Sequence, residues 1–317
     1  MSTHTKVFVV GSFVAANSAK VERLPNAGES LLASAFVLEP GGKGFNLIVA
    51  CERLGAEVAG VLPVGDDFIS QLAASALERT GLPEAMLCRS PGPTGAGIGF
   101  TDAAGDNCLA IFPGANGRLA RRDILERAVM IEAAAVTLAQ FEAPDEPIIA
   151  AFEIARRAGK MTLLNPSPYR TIPPELLDLT SILILNETEA ESLVADISGK
   201  AIDLDPSNLE RALNPLASIL AGLGIPTVIV TLGAAGALLF CGKDQPIQFP
   251  AFKIQSIDAL GAGDAFAAGI ATTIAEGKSW REALRIASAC GAMVAARWGV
   301  LDALPRREEV EAFLKPT

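Results

Sequence analysis

Short runs of β-branched and aliphatic residues alternate with helix-patterned stretches along almost the whole chain, and few folds accommodate that order. The strand-like runs fall at 6–10, 57–62, 135–139, 161–165, 181–185, 227–231, 236–240 and 246–249. Helical patterns occupy 43–54, 66–80, 122–132, 145–158, 187–195, 207–223, 262–276, 281–297 and 307–314. A parallel connection needs a crossover long enough for a helix, and that helix covers a face of the sheet. The alternation therefore predicts an α/β protein with a largely parallel sheet and helices on both faces. Ligands of such sheets bind beyond the carboxyl ends of the strands. Residues 12–40 and 94–112 break the pattern, the latter reading as two strands around Asp102-Ala103-Ala104-Gly105-Asp106. They form either a small sheet projecting from the main body or an ordinary hairpin with a long loop.

Length and composition narrow the class. A chain of 317 residues suits about two domains, or one large α/β domain with an accessory piece. No repeat, low-complexity segment or linker divides it. Half of the residues are hydrophobic and few are aromatic, so Ala, Leu, Val and Ile fill the interior, as in helices packed on a buried parallel sheet. The net charge of -10 argues against a nucleic-acid partner, which calls for a basic footprint. No apolar run approaches the ~20 residues of a membrane-spanning helix, so no membrane partner is expected. Lys6 followed by Val7 to Ala16 has the outline of a short signal peptide, but a buried strand Val7–Val10 ending at a Gly11-Ser12 turn explains it better.

The reactive side chains exclude more. Cysteines 51, 88, 108, 241 and 290 are odd in number and scattered, with no C-x-x-C pair, so neither a zinc site nor a redox motif is indicated. Reduced, mostly buried thiols in the cytoplasm are the expectation. His4 is the only histidine, and it lies near the chain end. That removes a Ser-His-Asp triad, a Cys-His pair and a histidine-ligated metal. Any general base is then a carboxylate, Lys, Tyr or Cys.

Three helix starts remain for chemistry. Asp258-Ala259-Leu260-Gly261-Ala262-Gly263-Asp264 runs into an apolar helical stretch. Its glycines and the free N–H groups of a helix N-terminus can hold a phosphate, and a carboxylate in the same turn can take a proton from an attacking hydroxyl. A plain helix start with Asp258 as a turn residue fits the loop equally well. Pro40-Gly41-Gly42-Lys43-Gly44-Phe45-Asn46 is neither a Walker A loop nor a Rossmann fingerprint. It is a second glycine-rich helix start, whose Asn46 can donate to and accept from hydroxyls, or whose glycines merely cap a turn beside a solvated lysine. Asn186-Glu187-Thr188-Glu189 can hold the water shell of Mg²⁺ beside phosphates, but taken alone reads more readily as a capping box. Thr231-Leu232-Gly233 and Glu142 are weaker signals at the same edge, and most such glutamates are merely solvated.

In order, Gly11-Ser12, Gly41 to Asn46, Gly65-Asp66-Asp67, Gly114-Ala115-Asn116, Glu142, Asn165-Pro166, Asn186 to Glu189, Thr231-Leu232-Gly233 and the 258–264 loop resemble the ribokinase (phosphofructokinase-B) family of sugar and nucleoside kinases. The resemblance spans nearly the whole chain. It implies a single kinase domain over 1–317, a three-layer α/β/α sandwich with a small β-sheet lid drawn from parts of 12–40 and 94–112. By the same resemblance, Asp264 matches the catalytic base, and Gly261, Ala262 and Gly263 the anion hole. Gly42, Lys43, Asn46, Glu142 and Asp264 fall at substrate-contacting positions. For nucleotide and Mg²⁺, the matching positions are Asn186, Glu189, Thr231, Gly233, Gly236, Gly263 and Ser288. Asp258 and the carbonyls of Leu260, Val294, Arg297 and Gly299 match a K⁺ site.

The implied activity is ATP-dependent phosphorylation of a primary hydroxyl on a sugar, by a homodimer formed through the lid. A nucleoside kinase on the same fold, or a ligand-binding relative without phosphoryl transfer, are the alternatives; a nucleotide-dependent dehydrogenase lacks its fingerprint. Three positions depart from the family. Val14 and Ala16 stand where ribose-binding members carry Asn and Asp, Ala259 replaces a usual Thr, and Ala303 replaces a serine of the ion site.

Overall fold

The computed structural model describes residues 6–102, 107–205, 208–242 and 245–315. In chain order its strands are β1 (Lys6–Val10), β2 (Val14–Lys20), β3 (Ala35–Gly41), β4 (Glu57–Val64), β5 (Leu87–Arg89), β6 (Gly95–Thr101), β7 (Asn107–Phe112), β8 (Val136–Gln140), β9 (Met161–Asn165), β10 (Ile182–Asn186), β11 (Thr227–Thr231), β12 (Ala237–Cys241) and β13 (Ile247–Phe249). A nine-stranded sheet runs β13-β12-β11-β10-β9-β8-β1-β4-β5. Every pairing from β11 to β5 is parallel. Only five residues join β11 to β12, too few for a crossover, so β12 pairs antiparallel, as does β13.

Both faces of this sheet are buried, and alternate side chains feed two cores. In β1, Val7 and Val9 pack with helices Lys43–Arg53, Ser70–Thr80, Ala262–Ala275, Trp280–Ala295 and Arg307–Phe313. Phe8 and Val10 point the other way, among Arg121–Leu125, Ala128–Ala133, Asp145–Arg157, Pro174–Leu179, Glu187–Ser198 and Leu209–Gly222. The result is the expected three-layer α/β/α sandwich. None of the described helices is long and apolar enough to cross a membrane.

Several elements differ from the periodicity. The predicted helix 122–132 breaks in two, because the Arg127 N–H closes a tight turn on the Ile124 carbonyl at 2.9 Å. Helix 66–80 begins only at Ser70, since Asp66 and Asp67 are spent outside it. Asp67 accepts from the Thr94 N–H (2.9 Å) and hydroxyl (2.6 Å), and Asp66 from the Gly92 N–H (2.9 Å). Those bonds root β6. Neither β5 nor Pro174–Leu179 was expected; three and six residues carry too little periodicity. The cysteines are less buried than expected: Cys51 and Cys290 are buried, Cys88 and Cys241 are partly open, and Cys108 is exposed. His4 and residues 103–106, between β6 and β7, lie outside the described residues.

The two anomalous stretches do combine. They build a four-stranded sheet, β3-β2-β6-β7, in which β2 and β6 are parallel and the other pairs antiparallel. One face carries Val14, Ala16, Glu39, Gly97, Leu109 and Ile111; the other carries Asn17, Phe36, Leu38, Ile98 and Phe112. Glu39 is half-buried, and burial pushes its carboxyl upward, with Asp302 and Asp258 adding repulsion. The Val14–Ala16 face therefore looks toward the 258–264 loop.

Candidate active site

The order of strands predicts where a ligand sits. From β1 the chain moves outward to β4 and β5, then returns to β8 on the other side and continues to β11. A crevice opens at such a reversal, beyond the carboxyl ends of β1 and β8. Ser12 follows β1, and Glu142 follows β8.

These two residues form one buried network. The Ser12 hydroxyl donates to Glu142 Oε2 (2.6 Å) and accepts from the Gly44 N–H (2.9 Å) and Gln140 Nε2 (3.1 Å). Glu142 Oε2 also accepts from the Lys43 N–H at 2.9 Å. Such contact needs bare backbones. A Cβ on Gly44 would lie 2.0 Å from the Ser12 nitrogen, and Gly42 has φ 99° with a Cβ position 3.0 Å from the Val14 nitrogen. Gly42 is the N-cap of Lys43–Arg53 and has no side chain to cap it, so Glu142 and Ser12 take the Lys43 and Gly44 N–H groups of the first turn instead. Asn116 joins the small sheet to this floor, accepting from the Phe13 N–H (2.9 Å) and donating to its carbonyl (2.8 Å).

Asp264 faces the network from the opposite wall. It sits in the first turn of Ala262–Ala275, whose N-cap Gly261 is left-handed at φ 80° and which no side chain caps. Val300 fills the space a Gly261 side chain would need, 2.7 Å from the Cβ position, whereas nothing lies within 4 Å of that position on Gly263. The helix start thus opens onto free space at Gly263. Asp264 is 4 % exposed and accepts from Asn46 Nδ2 at 2.8 Å, while Asn46 Oδ1 is buried with no partner among the described residues. An unused buried acceptor favours a donor supplied by a ligand, such as a hydroxyl.

Lys43 is the local cation. Burial pushes the carboxyls of Asp264, Glu142 and Glu189 upward, and in each case Lys43 pulls the other way. Two buried carboxyls, Asp264 and Glu189, and the part-buried Glu142 thus share one ammonium. Glu189 belongs to the capping box that the spacing favoured: Asn186 Oδ1 accepts from the Glu189 N–H (2.8 Å) and Glu189 Oε2 from the Asn186 N–H (2.9 Å). It nevertheless feels Lys43 and Asp264, so the cap and a place in the crevice coexist.

The remaining expected residues surround this centre. Thr231 pairs with Asn186 across β10 and β11, its hydroxyl donating to the Leu185 carbonyl at 3.3 Å. Gly233 lies by Glu187, and Gly236 (φ 96°) packs so close that a Cβ would be 1.9 Å from the Phe249 carbonyl oxygen. Ser288 is half-buried on Trp280–Ala295. That helix aims its carbonyl end at the loop, where the Ala295 carbonyl accepts from the Ile257 (2.7 Å) and Asp258 (3.2 Å) N–H groups. Asp258 Oδ1 accepts from the Leu260 N–H at 3.0 Å. The Val294 carbonyl already accepts from the Arg297 N–H (2.9 Å), and the Arg297 side chain turns to Glu309. Gly299 has φ 83°. No cluster of three His, Cys, Asp or Glu side chains suited to a metal occurs among the described residues. Ser12, Gln140 and Asn116 had no assigned role, because their partners lie 103 to 130 residues away.

Comparison with known proteins identifies the family. The model of the pfkB family of carbohydrate kinases matches residues 4–307. The chain is 32% identical over 314 residues to a ribokinase of Haemophilus influenzae, covering 97% of each protein. It is 29% identical to a deoxyribokinase of Salmonella typhi, covering 97% of this chain and 98% of that one. The structure of Arabidopsis thaliana ribokinase complexed with ribose and ATP superposes with a TM-score of 0.88 at 30% identity, covering 99% of this chain and all of that one. The chain belongs to the pfkB family of carbohydrate kinases.

Proposed function

We propose that the protein transfers the γ-phosphoryl group of ATP to a primary hydroxyl of a sugar or sugar-like acceptor, with Asp264 as the base. One observation carries this reading: a buried carboxylate in the first turn of an uncapped helix, bonded to Asn46 and beside the open space at Gly263. A hydroxyl donating to Asp264 gives up its proton as it attacks. Asn46 Oδ1, Lys43 and the free oxygen of Glu142 orient the acceptor, and Gly42 lets it approach the backbone. The N–H groups of Gly261 and Gly263, and that of Ala262 once released from the Ala259 carbonyl it holds at 3.2 Å, stabilise charge growing on the transferred phosphoryl group, a contribution of ~3–4 kcal/mol per donor in comparable sites. Thr231, Gly233, Gly236 and Ser288 border the nucleotide. Asn186 and Glu189 would hold Mg²⁺, which would supply positive charge to neutralise the phosphates. Their side-chain oxygens are the hard donors that ion takes.

The four-stranded sheet is the lid of a single kinase domain over 1–317, and its closure keeps water from the phosphate. Its outer face exposes Phe36, Leu38, Ile98 and Phe112, and a second copy of the same face covers them in a homodimer. Sedimentation velocity separates dimer from monomer. An ATP-using enzyme with free thiols belongs in the cytoplasm.

A screen of ADP formation over pentoses, hexoses, deoxy sugars and nucleosides tests the reading. Acceptor-dependent turnover is expected; no ADP formation with any acceptor would favour a ligand-binding relative. A second expectation concerns the 258–264 loop. Asp258, whose N–H meets the Ala295 carbonyl at 3.2 Å, and the carbonyls of Leu260, Val294, Arg297 and Gly299 would hold a cation drawn to the carbonyl end of Trp280–Ala295. Replacing Na⁺ by K⁺ at constant ionic strength should raise kcat, and equal rates in the two salts would remove the ion site.

A further inference from the structure

One guanidinium holds the loop that carries Glu142. Arg170 donates through Nη1 to the Phe141 carbonyl (2.9 Å) and through Nη2 to the Ala143 carbonyl (3.1 Å), while pairing with Asp145. Its central carbon lies 3.8 Å from the centroid of the Phe141 ring. The two carbonyls flank Glu142 on either side. The Phe141 N–H donates to the Ser167 carbonyl at 3.0 Å, and the Glu142 N–H to the Gln140 side chain. The backbone around Glu142 is thereby fixed, and its carboxylate reaches Ser12 and the Lys43 N–H from a rigid base.

The same short segment reaches the other side of the crevice. Asn165 Nδ2 donates to the Ile184 carbonyl of β10 at 3.0 Å, and β10 leads directly into the turn that carries Glu189. We infer that residues 165–170 form a mount that ties the Glu142 loop to β10, with Arg170 as the positioning residue for Glu142. The inference rests on the acceptor role proposed for Glu142 and extends it to a residue outside the crevice. A half-exposed ion pair with Asp145 would itself matter little. Two parallel donors to two carbonyls are another matter, because a planar fork spans them and a lysine ammonium does not. Misplacing a group that orients a reactant by ~1 Å can lower the rate about 10²-fold.

The test is a kinetic cycle with the best acceptor of the screen, using Arg170→Lys, Glu142→Gln and the double variant. Arg170→Lys should fold and lower acceptor kcat/KM by about 10- to 100-fold, leaving the KM for ATP within about twofold. The double variant should be no worse than Glu142→Gln alone, since contacts acting through one group are not additive. Asp145→Asn, which spares both carbonyl bonds, should leave the acceptor constants unchanged. An Arg170→Lys that does not fold, that loses ATP and acceptor affinity equally, or that adds fully to Glu142→Gln would overturn the inference. So would an Asp145→Asn as impaired as Arg170→Lys. If Glu142→Gln alone leaves the acceptor constants untouched, the acceptor role itself falls, and the inference with it.

Discussion

Asp264→Asn should lower kcat by at least about 10²-fold while leaving ATP affinity near normal, the usual weight of a general base. Asparagine keeps the size of the side chain, and its oxygen can still accept from Asn46 Nδ2. It cannot take a proton at neutral pH. The same substitution should make the protein more stable. Burial raises the Asp264 carboxyl, so the ionised form is disfavoured in the folded state relative to the unfolded chain. For such a group, stability is fully present below the unfolded-state value and is lost as pH rises through the folded-state one. The wild type has incurred that loss at neutral pH, and the asparagine variant does not. Its melting temperature should therefore be higher at neutral pH, with the gap closing as the pH drops and Asp264 takes up its proton. Wild-type kcat/KM should fall on the acid side above the ordinary carboxylate range, since Glu142 and Glu189 are raised as well. Lower stability in the variant, with unchanged turnover, would make Asp264 a structural residue.

D-Ribose should be a poor acceptor, by roughly 10²- to 10⁴-fold in kcat/KM relative to an acceptor that is apolar toward the lid. Val14 and Ala16 lie on the lid face that looks to the 258–264 loop, with Gly97, Leu109 and Ile111 beside them. Val14 is buried, and neither side chain can bond a hydroxyl. Each vicinal hydroxyl left unpaired in a dry site costs about 1–3 kcal/mol. Asn17 offers no substitute, because its amide donates to the Ala15 (3.2 Å) and Gly97 (3.1 Å) carbonyls from the other face of β2. A deoxy or substituted sugar, or a nucleoside, then fits best. The double variant Val14→Asn/Ala16→Asp should improve ribose turnover. Ribose phosphorylated by the unaltered protein at a micromolar KM would contradict this.

Much of the architecture was legible because parallel strands buried on both faces leave long aliphatic runs, and crossover helices separate them at regular intervals. β1, β8, β9, β10 and β11 were each visible for that reason, and a site at their carboxyl ends followed from topology. The site residues that could be read are those in local motifs at helix starts, such as Gly42 to Asn46 and Gly261 to Asp264. Their surroundings could not be read locally. Ser12 meets Glu142 across 130 residues, and Asn46 meets Asp264 across 218, so only the closed fold joins them. Glu142 alone looks like a solvated glutamate until the Ser12 and Lys43 contacts bury it. Asn186 to Glu189 was ambiguous because one spacing can serve two purposes; the fold forms the capping box, and the Mg²⁺ role is the proposed one. Arg170 carries no signal in its own segment, since its partners are backbone carbonyls near Glu142.

The most direct measurement is the ratio of phosphorylated acceptor to ADP, with the site of modification identified by mass spectrometry and phosphorus NMR. One phosphomonoester on a primary hydroxyl for each ADP, formed at the wild-type rate and lost in Asp264→Asn, is the expected result. ADP formed without a phosphorylated acceptor, or equal product from the asparagine variant, would contradict hydroxyl phosphorylation by an Asp264 base.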